Sequence, residues 1–273
     1  MDFKFKIVTF AVERILDQME QEKIILITND DGIISKGLLS LVEVAKSFGR
    51  VIVVAPDKPQ SGMGHAITVN HPLRMHTYSQ FEHVEAYACS GTPVDCVKLG
   101  IYEVLNRKPD LILSGINHGE NTSTNVLYSG TMSAAVEGAM EGVVSVGFSL
   151  ADFDEDADFT LAQLVVKKVL EWVLKNDLPI HTCYNVNIPK IESSAFQGIK
   201  FARQAYAFWE DRFDKRWDQF KKPYYWMTGE FKDLDQQEDT DLWALKNGYA
   251  SIVPTQFDMT DYKALETFKT QHL

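Results

Sequence analysis

Two neighbouring carboxylates, Asp30 and Asp31, follow an apolar run at 24–27 and come directly before a glycine. The run predicts a buried strand, and acids that repel each other at its carboxyl end are tolerated chiefly beside a cation. Their hard oxygen atoms favour Mg²⁺ or Mn²⁺, and no nearby cluster of Cys or His indicates zinc. A turn in which the acids cap the following helix explains the pair equally well, so both interpretations stay open here.

Two further segments place an oxygen-bearing side chain after a predicted strand. Ser61 lies in a glycine-rich loop after the strand at 51–55, and Asn117 follows the strand at 110–114. In open parallel sheets, ligands bind beyond the carboxyl ends of the strands, close to the point where the strand order reverses. Together with the two aspartates, Ser61 and Asn117 would form a compact site made only of oxygen ligands. The backbone N–H groups around Gly62 could approach an anion.

A phosphate site is indicated where Ser129-Gly130-Thr131 opens a predicted helix at 131–141. The first turn of a helix offers unpaired N–H groups and a partial positive charge. Ordinary N-capping by Ser129 or Thr131 is the alternative. Candidate proton donors are His65, His71 and His118, and each is equally explained as a loop histidine.

The elements around these residues alternate between strand and helix patterns. Apolar positions at helical spacing between 35 and 48, with Ser35 as the N-cap, separate the first two strands, and such a βαβ unit implies a parallel sheet. Thr92 and Pro93 begin a helix that continues to about 105. Residues 67–88 are expected to form a hairpin or flap. The pattern continues with strands at 143–148, 184–188 and 248–254 and a helix at 159–174.

Composition limits the function classes. The net charge of −11 argues against a surface that coats nucleic-acid polymers and against an anionic membrane partner. Cysteines number three, without C-x-x-C spacing, which favours a reducing, cytoplasmic setting. No apolar run approaches the ~18 residues expected of a membrane span.

The chain is predicted to form one α/β domain with a C-terminal arm. Residues 1–22 are interpreted as an N-terminal extension with Met19 as an alternative start, and a short helix packed on the domain surface explains residues 1–18 equally well. Residues 23–195 are interpreted as the catalytic core, and residues 196–273 as the arm and a closing strand. The aromatic-rich segment 201–228 is interpreted as an oligomer contact rather than a base-stacking platform.

Several long motifs resemble the survival protein E (SurE) family of metal-dependent nucleotide phosphatases. They are ILITNDDG at 25–32, VVAPDKPQSGMGHAIT at 53–68, SGTPVDCV at 90–97, SGINHGEN at 114–121, VLYSGTMSAAVEG at 126–138 and DLWALKNGYASIVP at 241–254. The resemblance spans about residues 23 to 260, in order.

The resemblance implies a three-layer αβα sandwich with a mostly parallel, Rossmann-like sheet, and a C-terminal arm that exchanges between subunits in homodimers or homotetramers. It implies one divalent metal ion per subunit, held by Asp30, Asp31, Ser61 and Asn117, with one aspartate acting on the attacking water. The implied activity is that of a 5′/3′-nucleotidase on nucleoside monophosphates, with some members also attacking short polyphosphate. The residues then expected to bind substrate are Asn29, Gly62, Asn121, Ser129, Gly130 and Thr131.

Two other classes fit parts of the pattern. A Mg²⁺-binding receiver module also carries paired acids after its first strand, but it needs an aspartate where this chain has Ser61 or Asn117. A nucleotide-cofactor oxidoreductase would carry a glycine fingerprint, and G-x-G-x-x-G does not follow the first strand. The P-loop and the G-x-S-x-G elbow are likewise missing from the sequence.

Overall fold

The computed structural model describes residues 22–269, and the predictions made for residues 1–21, including a start at Met19, lie outside that range. The strands are β1 Ile24–Thr28, β2 Arg50–Pro56, β3 Met75–Thr77, β4 Glu85–Cys89, β5 Leu111–His118, β6 Ser145–Leu150, β7 Cys183–Ile188, β8 Gly198–Phe201, β9 Ala207–Trp217, β10 Pro223–Asp233 and β11 Tyr249–Thr255. The α-helices are α1 Lys36–Ala45, α2 Pro93–Leu99, α3 Gly130–Met140, α4 Thr160–Lys175, α5 Asp241–Lys246 and α6 Tyr262–Phe268.

A nine-stranded sheet in the order β3-β4-β2-β1-β5-β6-β7-β11-β8 forms the centre. The six strands from β4 to β7 in that order run parallel to one another. At the edges, β3 is antiparallel to β4, which confirms the predicted hairpin, and β11 is antiparallel to β7. The chain moves outward from β1 through β2 and returns on the other side of β1 at β5. The strand order therefore reverses beside β1, where ligands bind in such sheets.

Helices cover both faces of this sheet, so the predicted three-layer α/β fold is confirmed. Leu38 and Leu41 of α1 share one hydrophobic core with Val165 and Leu170 of α4. On the opposite face, α2 and α3 pack over a second core. Phe148 of β6 is fully buried, and its truncation to alanine would cost about 3–5 kcal/mol of stability. Within residues 22–269, no helix is both long and apolar enough to cross a bilayer.

The predicted helix starts are confirmed, while the helix after Thr92 changes type and one strand end differs. Thr92 and Asp95 cap α2 reciprocally, but the helix continues as a π-helix over Gly100–Leu105. Strand β5 extends through a register shift to His118, so Asn117 lies within the strand instead of after it. The shift centres on Gly115, whose φ is +123° and whose Cβ would lie 2.3 Å from the Phe148 carbonyl oxygen. Only glycine permits this bend, and local apolar patterning does not reveal it.

The aromatic-rich part of the C-terminal segment forms an antiparallel hairpin of β9 and β10, which apolar patterning alone did not predict. Large apolar side chains on both strands are exposed, among them Phe213, Trp217 and Trp226. The base of the hairpin is tied to the core: the Ser123 hydroxyl bonds the backbone of Ala207. The division of the chain at residues 195 and 196 stays a prediction.

Candidate active site

A cavity of about 450 Å³ opens at the carboxyl ends of β1, β2 and β5. It is lined by Asp30, Ser61, Gly62, Asn117, His118, Gly119, Glu120, Asn121, Asn125, Tyr128, Ser129, Phe153 and Trp209. Six of the predicted site residues are therefore brought together at one opening. Of the remaining four, Asp31, Gly130 and Thr131 contact lining residues as described below, and Asn29 adjoins Asp30 in the chain.

Asp30 is the buried acid of the pair, with 4% of its surface exposed. The Thr131 hydroxyl donates a hydrogen bond to Asp30 Oδ1 at 2.5 Å. Burial and the adjacent charge of Asp31 raise the pKa of Asp30 to about 6, against the opposing effect of the bonds from Thr131. Gly130 lets helix α3 approach this closely, because a Cβ there would lie 2.7 Å from the Asp30 Cβ. A carboxylate held this way is stabilised by a neighbouring cation.

Asp31 is less deeply buried and lies against β5. The backbone N–H of His118 donates to Asp31 Oδ2 at 3.2 Å. Burial raises the pKa of Asp31, while the His118 bond lowers it. Two partly dehydrated carboxylates that adjoin each other are a costly arrangement that cation binding relieves.

The interpretation of the two acids as a helix cap is wrong. Helix α1 is capped by Ser35, whose hydroxyl accepts from the N–H of Leu38. Asn29 supports that turn, because its Nδ2 donates to the Gly32 carbonyl at 3.0 Å and to Ser35 Oγ at 2.8 Å. Asn29 is buried and its Oδ1 has no hydrogen-bond partner within the described residues. Asn29 therefore shapes the turn that presents both acids.

The glycine-rich loop is tied to the site at several points. The N–H of Gln60 donates to the Asp30 carbonyl at 2.7 Å, and the N–H of Gly64 donates to the Tyr128 carbonyl at 3.2 Å. Gly62 and Gly64 both have positive φ, +75° and +54°, which favours glycine. These bonds place Ser61 and the Gly62 backbone at the cavity.

His65 ends this loop and bonds away from the cavity. Its Nε2 lies 2.9 Å from Glu137 Oε2, and Lys98 bonds the other oxygen of the same carboxylate. Burial alone would raise the pKa of Glu137, yet the bonds from His65 and Lys98 hold it below its usual value. Of the other candidate proton donors, His118 lines the cavity and His71 is exposed outside it. The Glu137 partner was not identified from the sequence, because nothing local links positions 65 and 137.

Ser129 caps helix α3 and also lines the cavity. Its hydroxyl caps α3 by accepting from the N–H of Met132 at 3.0 Å, and the residue also lines the cavity. The positive end of the α3 dipole thus lies beside the cavity. The Thr131 hydroxyl, in contrast, is occupied by Asp30.

Two asparagines that line the cavity are fixed by hydrogen bonds to neighbouring strands and loops. Asn117 Nδ2 donates to the carbonyls of His118 and Gly119 at 3.1 and 2.8 Å, which directs the amide oxygen outward from these bonds. The backbone N–H of Asn121 donates to Asn187 Oδ1 at 2.7 Å, and the backbone carbonyl of Asn121 accepts from Asn185 Nδ2 at 2.8 Å. The role of Asn185 and Asn187 was missed, although their alternation in a buried strand was a visible signal.

The donor set fits a hard divalent cation. The side chains of Asp30, Asp31, Ser61 and Asn117 offer carboxylate, hydroxyl and amide oxygens, which Mg²⁺ and Mn²⁺ prefer. Across residues 22–269 there is no group of three or more His, Cys, Asp or Glu side chains that could hold a metal ion.

The chain is similar to known proteins of one family. A family model described as "Survival protein SurE" matches residues 25–211. The chain is 54% identical over 257 residues to a protein of Flavobacterium johnsoniae named 5′-nucleotidase SurE, covering 93% of this chain and 99% of that protein. A Phocaeicola vulgatus protein of the same name is 40% identical over 257 residues, covering 93% and 99%. The crystal structure of a SurE protein from Aquifex aeolicus aligns with a TM-score of 0.78 at 40% identity, covering 90% of this chain and 98% of that one.

Proposed function

Because the chain belongs to the SurE family, we propose that the cavity is the active site of a 5′-nucleotidase. The reaction is hydrolysis of a nucleoside 5′-monophosphate to nucleoside and phosphate, and we extend it to 3′-monophosphates and short polyphosphate. The observation that carries the proposal is the convergence of Asp30, Ser61 and Asn117 on one cavity beside the start of α3. A phosphate monoester needs both features, a cation site and a set of N–H donors.

Each group of residues around the cavity has its own role in the proposed reaction. Asp30, Asp31, Ser61 and Asn117 would hold a single Mg²⁺ or Mn²⁺ ion, which would supply Lewis acidity toward the phosphoryl oxygens and acidify water. One of the two aspartates accepts the proton of the attacking water. The backbone N–H groups at Gly62 and at the start of α3 hold the remaining phosphate charge. Asn29 and Asn121 hold the turn and the wall that carry these groups.

Thr131 has a supporting task in this scheme. Its hydroxyl bond to Asp30 opposes the raised pKa of that acid and keeps one carboxylate oxygen directed at helix α3. The backbone N–H of Thr131 also acts on Asp30, so the assignment of Ser129 and Gly130 to the phosphate rests on their backbone N–H groups, and Thr131 contributes through Asp30. The hydroxyls of Ser129 and Thr131 are already engaged as a helix cap and as a partner of Asp30.

We further propose that the protein assembles as a homodimer or homotetramer through the hairpin β9–β10 and works in the cytoplasm. The exposed apolar side chains on the hairpin support the first point, because monomers rarely expose large contiguous apolar patches. All three cysteines are free and buried, which agrees with a reducing compartment. The net charge of −11 supports a small substrate rather than a nucleic-acid polymer or a membrane.

The test is phosphate release from nucleoside 5′- and 3′-monophosphates and polyphosphate, with Mn²⁺, Mg²⁺ or a chelator. We expect turnover that the chelator abolishes, and we expect Asp31→Asn to lower it by ~10²-fold or more. Asp57→Asn is the matched control, since Asp57 is an exposed acid on the loop that follows β2. Turnover by Asp31→Asn at the wild-type rate would show the site assignment to be wrong. No phosphate release under any condition would refute the nucleotidase.

A further inference from the structure

Three exposed aromatic side chains surround the opening of the active-site cavity. Tyr128, Phe153 and Trp209 are 65%, 76% and 49% exposed, and they come from three different segments of the chain. The phosphate-binding groups described above do not need aromatic neighbours. A flat, apolar substrate group does, because aromatic rings present large faces on which another ring can stack.

Trp209 differs from the other exposed aromatics of the hairpin. Among the described residues of β9 and β10, it is the one that lines the active-site cavity. Its indole N–H donates to Asn125 Oδ1 at 3.0 Å, and Asn125 lines the same cavity. The ring also packs against Phe231 of β10, with ring centroids 5.5 Å apart. The indole is therefore held in place while about half of its surface stays open.

The backbone that carries Trp209 is fixed to the loop beside the cavity. The Ser123 hydroxyl accepts from the N–H of Ala207 at 3.1 Å and donates to the carbonyl of the same residue. The buried carboxylate of Asp241 accepts from the N–H groups of Ser123 and Ala205 at 2.8 and 3.0 Å. These bonds determine where the first residues of β9 lie relative to the cavity.

A second cavity of about 530 Å³ adjoins the first, and Tyr128 and Trp209 line both. Its other lining side chains include Leu127, Phe208 and Met227, which are apolar. The polar residues that bind phosphate and the apolar residues that suit a ring system therefore meet at Trp209. A nucleoside monophosphate has the same two parts, a phosphate dianion at one end and a flat, apolar ring at the other.

Building on the proposed function, we propose that Trp209 is a specificity-determining residue that stacks on the base of the bound nucleoside monophosphate. The phosphate lies at Asp30 and Ser129, and the base lies on the open face of the indole. Stacking on an aromatic side chain is tolerant of base identity, since every base has a π face. Purines, whose two fused rings cover more of the indole, gain more than pyrimidines.

The test compares Trp209→Ala and Trp209→Phe with wild type on adenosine 5′-monophosphate and on ribose 5-phosphate, which lacks the base. We expect Trp209→Ala to raise KM for the nucleotide about tenfold, with kcat and the kinetics on ribose 5-phosphate unchanged. Trp209→Phe should recover most of the loss. Trp217→Ala is the matched control, an exposed tryptophan of the same strand whose ring contacts Lys215. Equal melting temperatures establish that the variants are folded.

Calorimetric binding of adenosine separates this proposal from the proposed function, because it involves neither phosphate nor turnover. Trp209→Ala should weaken adenosine binding about tenfold. An unchanged KM and unchanged adenosine binding would overturn the stacking role, as would an equal loss on ribose 5-phosphate. A wild-type protein that binds adenosine through Trp209 but releases no phosphate from any nucleotide contradicts the nucleotidase and leaves the stacking role supported.

Discussion

Asp30→Asn should make the metal-free protein more stable while it removes activity. The substitution keeps the size of the side chain and an oxygen that can accept from Thr131, but it deletes a buried charge. In the folded protein, burial and Asp31 raise the pKa of Asp30 from 3.8 to about 6. Between these two values the folded protein holds a proton that the unfolded chain has lost. The stability that this proton adds to the folded protein is therefore fully present below about pH 3.8 and is lost as the pH rises through 6.

The magnitude follows from that difference of about 2 pKa units. At 1.36 kcal/mol per unit, ionised Asp30 destabilises the metal-free fold by about 3 kcal/mol at pH 7.5. Asparagine carries no such penalty, so Asp30→Asn should melt roughly 5–10 °C higher in the presence of a chelator. At pH 5 the stability difference between Asp30→Asn and wild type should shrink to roughly half, because wild-type Asp30 is then mostly protonated in the folded protein.

Differential scanning calorimetry at pH 5 and pH 7.5, with chelator or with excess Mn²⁺, measures each of these quantities. Mn²⁺ should raise the melting temperature of wild type more than that of Asp30→Asn. A ligand that binds only the folded state stabilises that state according to its affinity, and the variant lacks one charged ligand. Turnover should fall by ~10²-fold or more. Asp57→Asn again serves as the control and should leave all three measurements unchanged. A lower melting temperature for Asp30→Asn in chelator at pH 7.5 would refute the reasoning, since the carboxylate would then be a stabilising partner of helix α3.

Three further changes probe the groups behind the cavity. Glu137→Gln should weaken Mn²⁺ binding by about tenfold, measured by calorimetry, because it loosens the glycine-rich loop. Glu141→Gln, one turn later on the same helical segment, is the control. Equal Mn²⁺ affinities of Glu137→Gln and wild type would show that the His65–Glu137 bond does not support the metal site. Gly130→Ala should lower turnover about tenfold or more and cost about 1–3 kcal/mol in urea unfolding, since its Cβ would lie 2.7 Å from the Cβ of Asp30; wild-type kinetics would argue against the close packing of α3. Asp241→Ala should lower the free energy of unfolding by about 2–4 kcal/mol in the same measurement, because it leaves buried N–H groups unpaired. A decrease below ~0.5 kcal/mol would show that these N–H groups do not depend on Asp241.

The amino-acid sequence by itself determined the local elements and the types of ligand. Apolar runs that precede Asp30, Ser61 and Asn117 predicted buried strands with oxygen atoms at one sheet edge, and the structure has those strands. Thr92 and Pro93 predicted a helix start that is present. These features depend on residues close in sequence, so the physics of burial, capping and turn formation is visible in a short window.

Tertiary structure alone decided which groups act on one another. The bond from Thr131 to Asp30 joins positions 101 residues apart, and the His65–Glu137 pair is separated by 72. The position of Asn117 depends on a bend at Gly115 that the neighbouring strand β6 requires. Trp209 belonged to a segment interpreted as an oligomer contact, and it lines the cavity because the Ser123 bonds draw the base of the hairpin to the core. Such contacts result from the packing of whole elements and leave no periodic pattern in the chain, so the partners of the two aspartates could be identified only in the folded protein.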